Sequence, residues 1–427
     1  MAHPTTPTGT RAVRNASFAV FAVFVLNGFN FSSWAARLPA VRDALDLPAT
    51  RMGLLLLVGS IGSLVALPLS GLVVTRLGAP RAVMLFATLN ASGLVVATVG
   101  VAAGQVVLTA AGLVLFGVGT GVWDAAMNLE GALVEQRLGR TVMPRYHAGF
   151  SVGTVLAAGV AALAAGAHVP VQVHVPVAVA LSTVGVAFAI RYFLPAGHGA
   201  ALAQAHAAAT AGDGGATGDP AAGGRRGPSV FGAWLEPRTL LIGLVVLAAA
   251  LTEGAGNDWM SLAVVDGFDQ TDATGAIAFG VFVAAMTLMR FLGTALLDRF
   301  GRVAVLRLCA GLALVGLLVF GLVPDDMLWL AMIGAVLWGM GAALGFPVGM
   351  SAASDDPLRA AARVSVVSTI GYTAFLAGPP LLGLLAGHLG YRHALLVIVV
   401  PIVIGLFVVN AAAPPRRPVE ERPTLVP

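Results

Sequence analysis

Four ionisable residues lie inside long apolar stretches of the sequence: Asp124, Glu253, Asp258 and Arg290. An ionisable side chain in a membrane helix costs at least about 2.5–3.5 kcal/mol on insertion scales, so each one needs a structural or functional reason. Burial disfavours the charged form of a carboxyl group, and Asp124 and Glu253 are therefore predicted to exchange protons near neutral pH. Structural pairing, and contact with a solute without proton transfer, stay open as alternatives for both.

The spacing of the other two residues suggests different roles. Arg290 lies eight residues before Asp298, about 12 Å deeper from the inner surface, at the depth estimated for Asp124. We therefore predict an Asp124–Arg290 ion pair that closes the inner side; a contact of Arg290 with neighbouring backbone or with Asp298 is the alternative. Asp258 lies about 140° around the helix from Glu253 and near the outer boundary, which predicts a solvated cap at the membrane edge.

Six further residues could line a central cavity, because transporter sites form at the midplane between repeats. They are Asn27, Asn30, Asn128, Asn257, Trp338 and Tyr372. Two of these asparagines lie one turn after a candidate carboxylate and share its helix face. A membrane asparagine also commonly forms a helix–helix hydrogen bond, which stays open as the alternative. Trp34 and Trp259 lie near the outer ends of their apolar stretches and are predicted to be interfacial.

The composition places these residues in a membrane protein. Of 427 residues 58% are hydrophobic and 10% charged, and the mean hydropathy is +0.90. Soluble domains have about 25% charged residues, and disordered chains combine low hydrophobicity with high charge, so both classes are excluded. Twelve apolar runs are long enough to span a bilayer. They lie near residues 16–38, 52–75, 82–102, 106–129, 147–167, 172–194, 239–263, 274–297, 303–323, 327–350, 362–388 and 391–411.

The arginines predict the orientation of these spans. All 24 basic residues are arginine, and with the N-terminus inside, 19 fall at inner ends. The outer ends hold four arginines, and the loop after span seven holds three aspartates and no arginine. The four outer arginines are Arg37, Arg42, Arg51 and Arg392, and the three loop aspartates are Asp266, Asp269 and Asp272. We expect a multi-pass protein of the inner cell membrane with both termini cytoplasmic, whose basic balance reflects lipid contact and not nucleic acid.

The chain repeats itself at a nearly constant offset. Trp259 follows Trp34, and Gly371-Tyr372-Thr373 follows Gly149-Phe150-Ser151, at nearly the same distance along the chain. A constant offset indicates duplication, and an even number of spans in each half makes the repeat parallel. We predict an N-terminal bundle over 1–194, a flexible cytoplasmic linker over 195–237 and a C-terminal bundle over 238–427.

The short turns after spans two and eight resemble the signature of the major facilitator superfamily, Gly-x-x-x-Asp-Arg-x-Gly-Arg-Arg. The second half matches at Asp298, Arg299, Gly301 and Arg302, and the first at Gly71, Arg76 and Gly78. In this family the turn forms a clamp that holds the inner gate shut, so the resemblance implies a cytoplasmic gate at these residues, to which we add Arg290. A simple topology anchor at this turn stays open as the alternative. Thr75 stands where the family has Asp and weakens the first-half clamp. The segments LNGFNFSSWAARLPAVRDAL and WDAAMN resemble a bacterial branch of this superfamily that is distantly similar to the fucose–proton symporters.

We therefore expect an all-α fold of twelve transmembrane helices in two six-helix bundles. The function expected is secondary transport of a small polar organic solute by alternating access, coupled to protons, in a monomer. An efflux carrier for amphipathic compounds and a transport-dead membrane sensor or scaffold are the alternatives. One cysteine and the spacing of eight histidines predict no metal or cofactor. The hydrolase-like motif at Gly149–Gly153 lies in a membrane span, so no enzyme is predicted.

Overall fold

The computed structural model describes residues 7–140, 142–194, 230–356 and 359–414, and no strand occurs among them. The prediction of an all-α fold with twelve membrane-spanning helices is confirmed. The first half contains six of these helices, with a short helix, Leu38–Ala44, between the first two. They are α1 (Pro7–Ala35), α2 (Ala49–Leu77), α3 (Ala79–Ala102), α4 (Val106–Leu138), α5 (Met143–Gly166) and α6 (Val171–Ala189).

The second half contains the other six helices. They are α7 (Pro237–Gly267), α8 (Asp272–Phe300), α9 (Arg302–Leu322), α10 in two pieces (Leu328–Ala342 and Gly345–Ala353), α11 (Ala360–Leu389) and α12, which includes Tyr391–Ala394 and Val399–Val408. Most of the predicted linker, residues 195–229, lies outside the described residues. A short helix, Val230–Ala233, precedes α7, and Pro237 already belongs to α7. The predicted division into two bundles and a linker stays a prediction.

The superfamily-like turns have the same backbone geometry in both halves. Gly78 separates α2 from α3 and Gly301 separates α8 from α9, and both have φ of 76°. A side chain at this φ clashes with the backbone, so a one-residue turn between two helices requires glycine. The two glycines predicted at the gate therefore shape the chain reversal at this end of the molecule.

Glycine pairs hold two equivalent pairs of helices in close contact. A Cβ placed on Gly93 of α3 would meet the backbone of Gly112 in α4, and one on Gly112 would meet Gly93. Gly316 of α9 and Gly334 of α10 have the same reciprocal relationship. The second pair follows the first at nearly the distance that separates Trp259 from Trp34, so the offset found in the sequence is repeated in helix packing.

The two halves contact each other through α5 with α8 and through α2 with α11. We call the face where α1 and α7 begin the linker face, and the opposite one the distal face. Near the distal face, Thr50 of α2 donates its hydroxyl hydrogen to the Gly383 carbonyl of α11, and a Cβ on Gly280 of α8 would lie 3.2 Å from that of Ala158. The halves are therefore in contact near the distal face.

Candidate transport site

Arg290 of α8 forms an ion pair with Glu253 of α7 at 2.7 Å. The two side chains are 32% and 18% exposed, so the pair is partly open to its surroundings. The predicted pair of Arg290 with Asp124 does not form. Depth along two helices allowed that contact, but Glu253 is in the same half and lies on the helix face that α8 packs against.

A break in α10 gives Arg290 a second partner. Helical hydrogen bonds run from each N–H to the carbonyl four residues earlier, and Pro347 has no N–H to donate to Ala343. The helix is interrupted at that carbonyl, between Ala342 and Gly345. Arg290 donates its Nε–H to the Ala343 oxygen at 3.2 Å. The guanidinium thus links α7, α8 and α10, and the alternative of a backbone contact for Arg290 is correct in part.

Asp124 in α4 forms no ion pair with a described residue. Asn128, one turn later, donates its side-chain amide to the Asp124 backbone carbonyl at 2.9 Å. Tyr372 of α11, in the other half, lies within electrostatic range of the Asp124 carboxylate. A carboxylate without an ion-pair partner among the described residues therefore lies within electrostatic range of an aromatic hydroxyl across the boundary between the halves.

His147 of α5 is a residue that the sequence analysis missed. It lies within electrostatic range of Arg290 across the same boundary, and its ring packs edge-on against Phe24 of α1 with centroids 5.2 Å apart. The available signal was its position in the first turns of span five, where a titratable side chain accompanies apolar residues. Asp124 with Tyr372, and His147 with Arg290, are thus polar groups of different halves that lie within electrostatic range of each other.

An aromatic wall lies beside Tyr372. Phe346 of α10 and Phe375 of α11 flank its ring, with centroids 6.2 and 6.4 Å away. Ligand sites in proteins combine such apolar and aromatic walls with a few placed polar groups. Tyr372 remains a cavity candidate on this geometry.

Two cavity candidates have structural roles instead. Asn30 donates to Asn90 of α3 at 3.1 Å, and Asn90 donates to Thr120 of α4 at 2.9 Å, which links three helices of the first half. Trp338 is fully buried and donates its Nε1–H to the Thr252 carbonyl. The polar side chains of Asn30 and Trp338 were predicted to face a cavity, but both bind neighbouring helices.

The remaining candidates divide between interior and partly exposed positions. Asn27 is buried and its side-chain Nδ2 has no hydrogen-bond partner among the described residues, whereas Asn257 is partly exposed. Trp34 and Trp259 are both buried, so the prediction of interfacial positions is wrong. Trp259 packs against Tyr391 of α12 with ring centroids 5.6 Å apart. Contact with neighbouring helices covers both tryptophans although they lie near span ends.

Asp258 is not a solvated cap. It lines a small cavity of about 10 Å³ between α7 and α11, together with Gly254, Phe375 and Gly378. The helix turn between Glu253 and Asp258 points the two carboxylates in different directions, as their spacing along α7 indicated. Glu253 contacts α8, and Asp258 lies against α11.

The distal face carries an ion pair between the halves. Arg42, in the short helix after α1, lies 2.5 Å from Asp266 near the end of α7 and 2.6 Å from Asp43. Its guanidinium also lies 5.6 Å from the Tyr391 ring centroid, a cation–π distance. Arg42 of the first half thus meets the acidic end of α7 in the second half.

Comparison with known proteins identifies the family. The family model described as Major Facilitator Superfamily matches residues 20–363 and 242–426. The chain belongs to the Major Facilitator Superfamily. It is 31% identical over 370 residues to the uncharacterized transporter y4wD of Sinorhizobium fredii (strain NBRC 101917 / NGR234), covering 86% of this chain and 90% of that protein. It is 27% identical over 382 residues to the membrane protein MosC of Rhizobium meliloti, covering 89% and 86%.

Solved structures of the superfamily share the fold. The nucleoside transporter NupG has a TM-score of 0.71 at 15% identity, covering 93% of this chain and 99% of that one. The transporter FucP in the outward conformation has a TM-score of 0.56 at 14% identity, covering 93% and 98%. At these identities the likeness concerns the fold alone. The resemblance drawn from the turn residues, to a superfamily of secondary transporters, is confirmed.

The superfamily turn at the linker face is not closed by the residues predicted to clamp it. Arg76, Asp298 and Arg299 are exposed, and none of them has an ion pair with a described residue. Arg302 pairs instead with Asp355, at the end of α10, at 3.0 Å, and Arg238 pairs with the same carboxylate at 2.7 Å. The acidic partner of the turn in this structure is therefore Asp355, within the second half.

Proposed function

We propose that this transporter moves a small polar organic solute by alternating access, coupled to protons. The observation that carries the proposal is the boundary between the halves, where Asp124 lies within electrostatic range of Tyr372 and Arg290 within that of His147. A site shared between two halves is remade whenever they move relative to each other. Contacts between the halves near the distal face support a state that is closed at that face.

Asp124 is the proposed coupling group. It is a carboxylate without a cationic partner among the described residues, whereas Glu253 is already neutralised by Arg290 at 2.7 Å. A carboxylate in an apolar setting gains or loses its proton according to access to water, so its charge follows the side that is open. Glu253 has the second role of holding Arg290 beside α10.

The solute class follows from the lining groups. An aromatic wall at Phe346, Tyr372 and Phe375 beside Asp124 and Asn128 suits a solute with an apolar ring face and hydroxyl or amine groups at its edge. NupG is a nucleoside transporter, and such solutes combine both features. An efflux carrier for amphipathic compounds and a transport-dead sensor are the competing functions.

The proposed orientation has the linker face in the cytoplasm of the inner membrane, with a monomer as the working unit. It is supported by the 19 arginines predicted at inner ends, which favour retention on the cytoplasmic side. The distal face then faces outward, and the arrangement is inward-facing.

The test is uptake and efflux in proteoliposomes under an imposed pH gradient, with panels of sugars, nucleosides, polyols and amphipathic cations. We expect accumulation of a hydrophilic solute to follow the proton gradient and to be lost in Asp124→Asn. Asp326→Asn, an exposed loop carboxylate, is the matched control and should transport normally. Gradient-driven accumulation by Asp124→Asn at the wild-type level would contradict the coupling role, and transport of amphipathic cations alone would favour the efflux function.

A further inference from the structure

Arg37 is a buried arginine whose charge is not neutralised by a contact with any described residue. It follows α1 at the distal face and is 4% exposed. One terminal nitrogen donates to the Val169 carbonyl at 2.8 Å, but Nε and Nη1 have no hydrogen-bond partner in the described part of the chain. Among the described residues, Asp272 of α8 is the carboxylate within its electrostatic range, and it forms no ion pair with Arg37 at 4.0 Å or less.

His174 lies beside this guanidinium and is also without a described partner. It is 7% exposed, both ring nitrogens lack hydrogen bonds to described residues, and it is within electrostatic range of Arg37. It belongs to the first turn of α6, just after Val169. No described side chain caps the start of α6, so the first backbone N–H groups of this helix have no side-chain acceptor.

This group of residues offers hydrogen-bond donors and a positive charge. A guanidinium stays charged at any accessible pH and only donates hydrogen bonds. A buried carboxyl group can become neutral by binding a proton, but arginine has no such route, so a buried arginine requires an anionic partner. A neutral imidazole supplies one N–H donor, and the first amides of a helix favour negative charge. Water would accept these hydrogen bonds but would bring no charge.

We propose that Arg37 and His174 hold a small monovalent anion of the chloride class at the distal end of the first half. The site joins the end of α1 to the start of α6. It is separate from the boundary where Asp124 and Arg290 lie, so it does not depend on the proposed transport reaction. Asp272 approaches the same arginine from the second half, and the anion supplies the contact that Asp272 does not make.

The experiment is thermal unfolding of the full-length protein in detergent, in sodium chloride and in sodium gluconate at equal ionic strength. A ligand that binds the folded state raises the unfolding temperature with its concentration. We expect a saturable rise on the order of 2 °C in chloride, reproduced by bromide and absent in gluconate. Arg37→Met should lose the rise. Arg51→Met, an exposed arginine at the same face, should keep it.

Each outcome decides the proposal. Equal unfolding temperatures of the wild type in chloride and gluconate would overturn it, as would a chloride effect that persists in Arg37→Met. If Arg37→Met does not fold, His174→Ala is the variant to measure. Its half-saturating chloride concentration should rise several-fold, and an unchanged value would overturn the site. Crystals grown in bromide supply a direct readout. Anomalous density between Arg37 and His174 supports the proposal, and bromide density found exclusively at other positions refutes it.

Discussion

Arg42 and Asp266 form an ion pair of 2.5 Å that joins the two halves of the transporter at the distal face. The Arg42 side chain is 12% exposed and that of Asp266 is 38% exposed, so solvent screens the attraction in part. Any state that opens this face must separate the two residues. The pair therefore contributes to the balance between the two access states in the proposed cycle.

Replacement of Arg42 should open the distal face more often. A partly exposed ion pair contributes about 0.2–1 kcal/mol, so Arg42→Gln should raise the rate of thiol labelling at Thr50→Cys by up to about fivefold. Thr50 reports on this face because its hydroxyl contacts Gly383 across the halves. The background is Cys309→Ser, which removes the native thiol.

Two further variants distinguish a charge effect from damage to the fold. The exchange Arg42→Asp with Asp266→Arg should bring labelling back toward the wild-type rate. Arg51→Gln, at an exposed arginine of the same face, should leave the rate unchanged. Faster labelling in Arg51→Gln, or no recovery in the exchange, would remove the gating role.

A disulfide should lock the distal face. A Cβ placed on Gly166 at the end of α5 would lie 3.9 Å from the Cβ of Ala273 in α8, and disulfides have a mean Cβ separation of about 3.8 Å. We expect Gly166→Cys with Ala273→Cys to form a crosslink on mild oxidation and to stop transport until reduction. A gel-mobility shift and solute counterflow measure the two effects. Unimpeded counterflow in the fully oxidised double variant would mean that these helices need not separate, and each single cysteine variant is the control.

Removal of Arg290 should cost more than removal of the whole ion pair. Arg290→Met leaves Glu253 and the Ala343 carbonyl without their donor, and a partly buried unpaired charge costs about 1–3 kcal/mol. The double variant Glu253→Gln with Arg290→Met removes that charge, so its unfolding temperature should lie above that of Arg290→Met. Thermal unfolding in detergent measures both. Equal temperatures for the two variants would mean that Glu253 gains nothing from Arg290.

Glu236, just before α7, should make stability depend on pH. A hydrogen bond from Arg363 at 2.6 Å holds the pKa of the Glu236 carboxyl below its ordinary value of 4.5. A lowered folded-state pKa stabilises the protein above the unfolded pKa, and the stabilisation is lost as pH falls through the folded value. Glu236→Gln should therefore unfold at a lower temperature than the wild type at pH 6, and the difference should shrink below pH 4.5. A pH-independent difference would contradict this linkage.

The number of spans and the turns between them were predictable because they depend on local composition. Twelve apolar runs became twelve helices in the described part of the chain, and glycine at positions 78 and 301 has the φ that a one-residue turn demands. The repeat offset found in the sequence is also present in the structure, since the glycine pairs of α3–α4 and α9–α10 are related by it. These features depend on residue type and spacing along the chain.

The partners of polar side chains were harder to predict. Depth along a helix can be counted at about 1.5 Å per residue, but rotation about the axis shifts when a helix breaks, as α10 does before Pro347. Arg290 therefore has Glu253 and Ala343 as partners in place of Asp124. The predicted position of Trp338 was wrong because an apolar span has hydrophobic residues on the sides that face lipid, neighbouring helices and a cavity. The sequence of the span does not distinguish these surroundings.

The reciprocal glycine contacts of α3 with α4 and of α9 with α10 also constrain mechanics. Backbone meets backbone at those crossings, with no intervening side chain that could change rotamer and absorb a displacement. Sliding or twisting one helix against its partner would drive main-chain atoms into each other, so we expect the two helices of each pair to move together as one rigid unit. Relative movement of helices is then expected at the contacts where side chains separate the two backbones. Spectroscopic labels that report on conformational change should be placed at those contacts.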